Sequence, residues 1–177
     1  YFEGIVENNK SKLNLNLLKL FKFNAENINI NDSNFTSRNE FSFQIDNKFT
    51  FKNVIINSYL VIDKLKYKRP KLFENYFLKI NDEFLLEDHN INLNYDNKKI
   101  IIKGKGKIGF TEELDEIQYE IYKDEKKFNF NSDLDIENIN IKKQNFLYSF
   151  FPQIQNEIIL NSQKLNIRYE DKNLFLK

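Results

Sequence analysis

Cysteine, methionine and tryptophan are all absent from this chain of 177 residues. The lack of cysteine excludes disulfide frameworks, thiol nucleophiles and zinc sites built on cysteine. There is one histidine, His89, so a histidine-rich metal site cannot form, and any histidine base for a nucleophile would have to be this residue. Only 4 glycines and 2 prolines occur, so flexible linkers between domains are not indicated.

A strong net charge is missing as well. The 27 basic and 26 acidic side chains leave a formal charge of +1, which gives no global field toward nucleic acid or an anionic membrane. No apolar run approaches the ~20 residues that a membrane-spanning helix needs. The chain begins at Tyr1 and contains no methionine. We therefore expect residues 1–177 to be a single unit taken from a longer protein, with any leader or membrane anchor lying outside it.

What the chain has in abundance is alternation of apolar and polar residues. The segment "KLNLNL" carries a leucine at every second position, and "FSFQI", "INLNY" and "KFNFN" follow the same rule. A period of two places apolar side chains on one face of a β-strand and polar side chains on the other. Polar turn signals at 31–34, 46–48, 96–99, 123–127 and 170–173 separate the runs, which is typical of antiparallel hairpins.

The sequence therefore predicts an all-β, mainly antiparallel fold, an elongated and curled sheet of about a dozen strands. Two segments break the alternation, "RPKLFENYFLKI" at 69–80 and "KKQNFLYSFFP" at 142–152. Their apolar residues recur at helical spacing and predict two short amphipathic helices. Two such helices cannot cover so many strands. The apolar face must be buried by a second sheet, by closure of the sheet, or by curling into a trough that leaves apolar surface for a ligand.

One stretch, "KIIIKGKGKIGF" at 99–110, contains Gly104, Gly106 and Gly109 in the spacing G-x-G-x-x-G. In dinucleotide-binding proteins this spacing cradles a pyrophosphate, but it requires a turn at the glycines and a helix that begins within the motif. Here the alternation continues through the glycines, so we interpret the stretch as a strand. Gly104 and Gly106 then leave room on its apolar face, filled either by an acyl chain or by a neighbouring phenylalanine.

The remaining candidates for chemistry are weak. His89 lies in "LEDHN" beside two acidic residues, a composition typical of a turn. The acidic run at 112–116 lacks the residue pattern of a calcium loop, and no pair of carboxylates stands out as the acid and base of a hydrolase. Lys103, Lys105 and Lys107 share one face of their strand, opposite the aromatics, which favours a solvated face over a nucleic-acid site. We expect no catalytic residue, metal, cofactor or nucleic-acid partner.

Three segments in the second half of the chain resemble the AsmA-like family. They are the strand "KGKGKIGF", the hairpin "IQYEIYKDEKKFNFNSDLDIENINI" and the helix-like "FLYSFFP". The resemblance covers residues 85–177 and extends to the first half only in general style. It implies a long, curled β-sheet with an apolar inner groove, anchored in the inner membrane of Gram-negative bacteria and crossing the periplasm. It also implies a role in moving phospholipid to the outer membrane and in keeping that membrane intact.

By this resemblance, residues 1–177 would be one β-groove segment of a periplasmic lipid-transfer protein, held at the inner membrane by a segment outside this sequence. Its partners would be phospholipid or another acyl lipid and the remaining segments of the same chain. Two other interpretations stay open: a closed β-sandwich or barrel acting as a structural or adhesion module, and a carbohydrate-active enzyme. The residues that we expect to face lipid are Leu13, Leu15, Phe41, Phe43, Ile45, Ile91, Leu93, Ile100, Ile102, Gly104, Gly106, Ile108, Phe128, Phe130, Leu165 and Ile167.

Overall fold

The computed structural model describes residues 1–12, 28–30, 33–69, 71, 73–142, 152–153, 157–170 and 173–177. Within these residues the chain forms one β-sheet and a single short helix, which confirms the expected all-β class. The helix is α1 (Phe73–Tyr76). The strands are β1 (Phe2–Lys12), β2 (Ile28–Asn29), β3 (Asn34–Ile45), β4 (Phe51–Lys68), β5 (Phe77–Leu78), β6 (Glu83–Asp96), β7 (Lys99–Gly109), β8 (Asp115–Lys123), β9 (Phe128–Lys142), β10 (Glu157–Glu170) and β11 (Asn173–Leu176).

The sheet is an antiparallel meander. Its order is β1-β3-β4-β6-β7-β8-β9-β10-β11, while β2 pairs with β4 and β5 pairs with β9, and every pairing is antiparallel. Consecutive long strands are neighbours, as short hairpin connections require. In the described part of the chain the two end strands, β1 and β11, do not pair with each other. The sheet is therefore open, and neither a barrel nor a sandwich of two sheets is formed by these strands.

Aspartates terminate several strands in the way the polar turn signals predict. The Asp46 carboxylate accepts hydrogen bonds from the N–H groups of Lys48 and Thr50, at 2.8 and 3.0 Å. The Asp124 carboxylate likewise accepts hydrogen bonds from the N–H groups of Lys126 and Lys127, at 2.7 Å each. An aspartate that bonds to the backbone a few residues ahead stabilises a tight turn. The turns predicted at 46–48, 96–99 and 123–127 are present, whereas residues 31–32 and 171–172 of the other two lie outside the described residues.

The helix predicted at 69–80 is much shorter in the structure. Among the described residues of this segment only Phe73–Tyr76 is helical, and Phe77–Leu78 then pairs with β9 beyond the point where β8 ends. Backbone pairing to this uncovered stretch of β9 takes the place of a further helical turn. Arg69 closes the segment by donating from Nη1 to the carbonyl of Ile80 at 2.8 Å. Most of the second predicted helix, at 142–152, lies outside the described residues.

The hydrophobic core of the described part lies at one end of the long strands. Its buried members are Phe84, Ile108, Leu134, Ile136 and Ile139. The short helix packs onto this end, where the rings of Phe73 and Phe84 meet edge-on with centroids 5.3 Å apart. The Phe84 ring also meets the ring of Phe110, at 4.9 Å. This end of the sheet is therefore covered by the chain itself.

Candidate functional site

The register of the sheet shows which residues share its apolar face. Residues directly opposite one another on paired strands point to the same side. One row across the strands contains Leu93, Ile102, Ile121, Phe130 and Tyr169. From β6 to β10 this row is hydrophobic, and it continues onto β4 and β3 with Ser58 and Asn39. We call the face that carries it the apolar face and the opposite one the polar face.

The described residues that we expected to face lipid all lie on the apolar face. Phe41 belongs to a row with Ile56, Tyr95, Ile100 and Phe128, in which the member from β8 is the charged residue Lys123. A third row joins Ile91, Gly104 and Ile167. The remaining members lie two or four positions along a strand from a residue of these rows and therefore point to the same face. They are Phe43, Ile45, Gly106, Ile108 and Leu165. Leu13 and Leu15 lie outside the described residues. Contact of this face with lipid stays a prediction.

The apolar face is covered at one end and exposed at the other. Opposite the buried core, several of its rings are open to solvent: Phe2 is 54 % exposed, Phe51 61 % and Phe128 46 %. Phe43 lies between Phe2 and Phe51, with its ring centroid 5.3 Å from that of Phe2 and 5.1 Å from that of Phe51. Phe128 lies farther across the sheet on β9, where its ring neighbour is Tyr169 at 5.9 Å. An apolar cluster left open by the surrounding chain is a recognised mark of an interaction surface. Among the described residues, this open end is where a greasy ligand has access.

The space above Gly104 is filled by the protein itself. Tyr119 is the cross-strand partner of Gly104 on β8, and its ring lies over the glycine so closely that a Cβ there would overlap the ring atoms Cζ and Cε2. An aromatic side chain that covers a cross-strand glycine compensates for the missing side chain. The room at Gly104 is therefore taken by a tyrosine, and neither of the two occupants that we expected there, an acyl chain or a neighbouring phenylalanine, is correct.

Gly106 is covered in a related way by His89. The register between β6 and β7 shifts between Glu87 and Asn90, so Asp88 and His89 together oppose Gly106 in a β-bulge. Asp88 has a φ of 53°, the left-handed conformation common at such bulges. A Cβ on Gly106 would lie 2.5 Å from Cδ2 of His89 and 2.9 Å from its Cα. Gly106 is thus closed to an acyl chain too, and for a stricter reason, since main chain as well as side chain lies above it.

His89 is a buried strand residue and not the turn residue that we expected. Its side chain is 4 % exposed. Nε2 lies 3.0 Å from the carbonyl oxygen of Lys107 and Nδ1 lies 3.3 Å from the hydroxyl of Tyr119. A carbonyl only accepts, so Nε2 carries the proton and Nδ1 accepts from the tyrosine. Burial lowers the pKa of His89, against the opposing effects of the Lys107 carbonyl and Asp88, and burial raises the pKa of Tyr119 to about 12.

A signal for this arrangement is visible in the sequence. Near its start β6 has three consecutive apolar residues, 84–86, and it alternates regularly only from Ile91 onward, with apolar residues at the odd positions Ile91, Leu93 and Tyr95. His89 has the same parity as these later apolar residues, and alternate residues of a strand point to one face. Alternation alone therefore places it on the apolar face.

The charged candidates have structural partners. Lys103 lies 3.4 Å from Glu120, and Lys107 is paired in register with Glu87 and Glu116, so the basic strip is interleaved with acids. From the acidic run, Asp115 is 3 % exposed and accepts a hydrogen bond from the N–H of residue 137 at 2.8 Å. Within the described ranges no group of three metal-ligating side chains comes together, and no helix is long and apolar enough to cross a membrane.

Comparison with known protein families, curated proteins and solved structures found no match. The resemblance to the AsmA-like family therefore rests on the sequence segments that suggested it. The geometry adds an open sheet whose apolar face is covered at the Phe84 end and exposed at the Phe2 end. What this arrangement can do chemically is bury an elongated apolar ligand along the exposed part.

Proposed function

We propose that the exposed part of the apolar face binds the acyl chains of lipid. In this proposal the chain is a segment of a periplasmic AsmA-like protein that conducts phospholipid between the inner and outer membranes. The observation that carries it is the cluster of open rings at one end of the face, with Phe51 and Phe2 more than half exposed. Burial of apolar surface contributes about 25 cal/mol per Å² and has no directional requirement, which suits a ligand that slides.

The covered glycines restrict where a lipid would lie. Tyr119 and His89 fill the middle of the apolar face above Gly104 and Gly106. An acyl chain would therefore run across the strands at the open end, along the row that contains Phe41, rather than across the middle of β7. Headgroups would remain at the rim, in water, because transfer of a charged group to an apolar surface is costly.

The test uses purified protein, donor vesicles of phosphatidylethanolamine and phosphatidylglycerol with a fluorescent phospholipid, and unlabelled acceptor vesicles. We expect the protein to take up the labelled lipid and to accelerate its transfer. Phe51→Asp and Phe128→Asp place a charge on the open part of the apolar face and should each reduce binding at least about tenfold. Phe175→Asp is the matched control, because Phe175 is 41 % exposed and lies on the polar face beside Arg168.

Mass spectrometry of the purified protein gives a second, independent readout. Co-purified phospholipid in the unaltered protein, reduced in the two apolar-face variants and retained in Phe175→Asp, supports the proposal. Protein that carries no lipid and takes up none from vesicles overturns it, as does equal uptake by all variants. Circular dichroism of each variant establishes that the sheet is intact, so that a loss of binding is not read from unfolded protein.

A further inference from the structure

The polar face of the sheet contains a cleft with a chemistry of its own. The cleft has a volume of about 620 Å³ and lies across the centre of the sheet. Strands β4, β6, β7, β8 and β9 all contribute to its lining. Four inter-strand spacings of about 4.8 Å make it ~19 Å long. Its length and its position across the strands suit an extended ligand rather than a compact one.

One wall of the cleft is a single row of paired residues. Tyr59 on β4 is followed across the sheet by Asn92, Lys103, Glu120 and Asn131. The Tyr59 ring is 46 % exposed at one end of this row, so it offers an aromatic surface next to a line of hydrogen-bonding groups. An aromatic ring combined with a few placed polar groups is the usual make-up of a small-molecule site.

The second wall is the adjacent row, Asn90, Lys105, Gln118 and Asp133. Tyr59 donates its hydroxyl proton to Oδ1 of Asn90 at 2.9 Å, which holds the ring at the end of the cleft. The side chain of Gln118 makes no hydrogen bond to any other described residue, and the same is true of the Lys105 ammonium group. Their donors and acceptors are available to a ligand.

The charges of the cleft cancel. Lys103 and Glu120 form an ion pair at 3.4 Å, and the lining also includes Lys105 and Asp133, one further charge of each sign. An anionic ligand such as a nucleic acid would meet two carboxylates as well as two ammonium groups and gain no net field. Amides and paired charges instead offer donors and acceptors side by side. Vicinal hydroxyl groups, each both donor and acceptor, match that arrangement.

We propose that this polar cleft is a binding site for a neutral linear oligosaccharide. The Tyr59 ring stacks on the C–H face of one sugar, and the amide side chains of Asn92 and Gln118 bond to the hydroxyl groups of the sugars that follow. The site lies on the face opposite the lipid-binding surface proposed above, and its occupation does not depend on lipid.

The test is isothermal titration, with two-dimensional NMR of the labelled protein, against cellohexaose, chitohexaose and maltohexaose. A heparin hexasaccharide and a single-stranded DNA oligomer serve as anionic probes. We expect at least one neutral hexasaccharide to bind and to shift the amide signals of the strands around Asn92 and Gln118. Tyr59→Ala should weaken that binding at least tenfold, while Tyr59→Phe keeps most of it because the ring remains.

Tyr122→Ala is the matched control, since Tyr122 is a tyrosine of the polar face whose hydroxyl bonds to Asp124 outside the cleft. It should leave saccharide affinity unchanged. Asn92→Ala and Gln118→Ala provide variants that remove no side-chain hydrogen bond to another described residue. The proposal is overturned if none of the neutral hexasaccharides binds, if Tyr59→Ala and Tyr122→Ala behave alike, or if only the anionic probes bind.

Discussion

The ring of Tyr119 lies over Gly104, its partner on the neighbouring strand, and occupies the place that a side chain on the glycine would take. The same relationship recurs where Phe41 covers Gly4, with Cζ 2.7 Å from the position of a Cβ. The glycines of β7 thus serve packing between strands. The spacing G-x-G-x-x-G in this chain has no connection with a phosphate, because the glycines lie within a strand and none has a positive φ.

Alanine at these glycines should destabilise the protein to different degrees. At Gly104 the clash is with the far end of the Tyr119 side chain, which can rotate, so we expect Gly104→Ala to cost about 1 kcal/mol. At Gly106 the added methyl group meets the main chain of His89 at 2.9 Å, so the cost should approach about 3 kcal/mol. Urea denaturation measures the free energy of unfolding of each variant.

Gly109→Ala is the control for the glycine variants. A Cβ there would meet the end of the Leu114 side chain at 3.1 Å, with the Glu113 carbonyl oxygen and Leu85 Cβ at an ordinary contact distance of 3.5 Å, and the loss of glycine flexibility in the unfolded chain offsets part of any strain. Its unfolding free energy should stay within about 1 kcal/mol of the unaltered protein. If the variant at Gly106 is no less stable than this control, the close packing of His89 over the glycine is wrong.

Tyr119 should make the protein sensitive to alkali. Burial raises its pKa to about 12, above the value of about 10 in an unfolded chain. The folded state therefore holds the proton more tightly, so this contribution to stability is complete below about pH 10 and is lost as the pH rises toward 12. Two pKa units correspond to ~3 kcal/mol at most.

The measurement for Tyr119 compares the unaltered protein with Tyr119→Phe in urea at several values between pH 8 and about 11.5. Tyr122, whose pKa is also raised by its hydrogen bond to Asp124, is present in both proteins and cancels in the comparison. The unaltered protein should lose stability more steeply than the variant above about pH 10. Parallel curves would contradict the burial of the Tyr119 hydroxyl.

Most of the fold follows from the sequence because period two is a local property. Each strand needs only its own apolar residues to be assigned, and turn residues such as Asp46 and Asp124 terminate strands through bonds to their own backbone. The shared face of Ile91, Ile102 and Phe130 follows from parity in the same way. These features were predictable since none depends on residues distant in the chain.

The covering of the glycines is a different matter, because it depends on register. Which residue of β8 opposes Gly104 is decided by the loop between β7 and β8, and a slip of one residue would turn Tyr119 away. The bulge at Asp88 decides in turn that His89 opposes Gly106. Loop geometry and bulges are set by packing of the whole sheet, so a single sequence indicates the room above the glycines but not its occupant.

His89 should destabilise the protein in mild acid. Burial lowers its pKa below the value of about 6.5 in an unfolded chain. The folded state therefore binds this proton less readily, so the contribution of His89 to stability is present above about pH 6.5 and is lost as the pH falls through the lowered pKa. A protonated Nδ1 could also no longer accept the hydrogen bond from the Tyr119 hydroxyl.

The single histidine makes this measurement direct. One imidazole C2 proton signal is expected in the NMR spectrum, and its titration gives the pKa of His89 in the folded protein. The value should lie below 6.5, and denaturation at pH 7.5 and about pH 5.5 should show a loss of stability that is smaller in His89→Gln. A titration at or above the ordinary value would show that the ring is solvated.

Variants of Asp115 can show whether the fold requires the hydrogen bond that its carboxylate accepts or the charge that it carries. Its carboxylate accepts from the N–H of Glu137 at 2.8 Å, in the gap on β9 between the end of its pairing with β8 and the start of its pairing with β5, and burial raises its pKa. The raised pKa means that Asp115 stabilises the fold below about pH 3.8, and that this contribution is lost as the pH rises through the folded pKa.

Asp115→Asn keeps the acceptor oxygen and removes the buried charge, so at pH 7 its unfolding free energy should equal or exceed that of the unaltered protein. Asp115→Ala leaves the N–H unpaired and should lose about 1–3 kcal/mol. Urea denaturation at pH 7 distinguishes the two variants, and an asparagine variant as unstable as the alanine variant would mean that the charge itself is required.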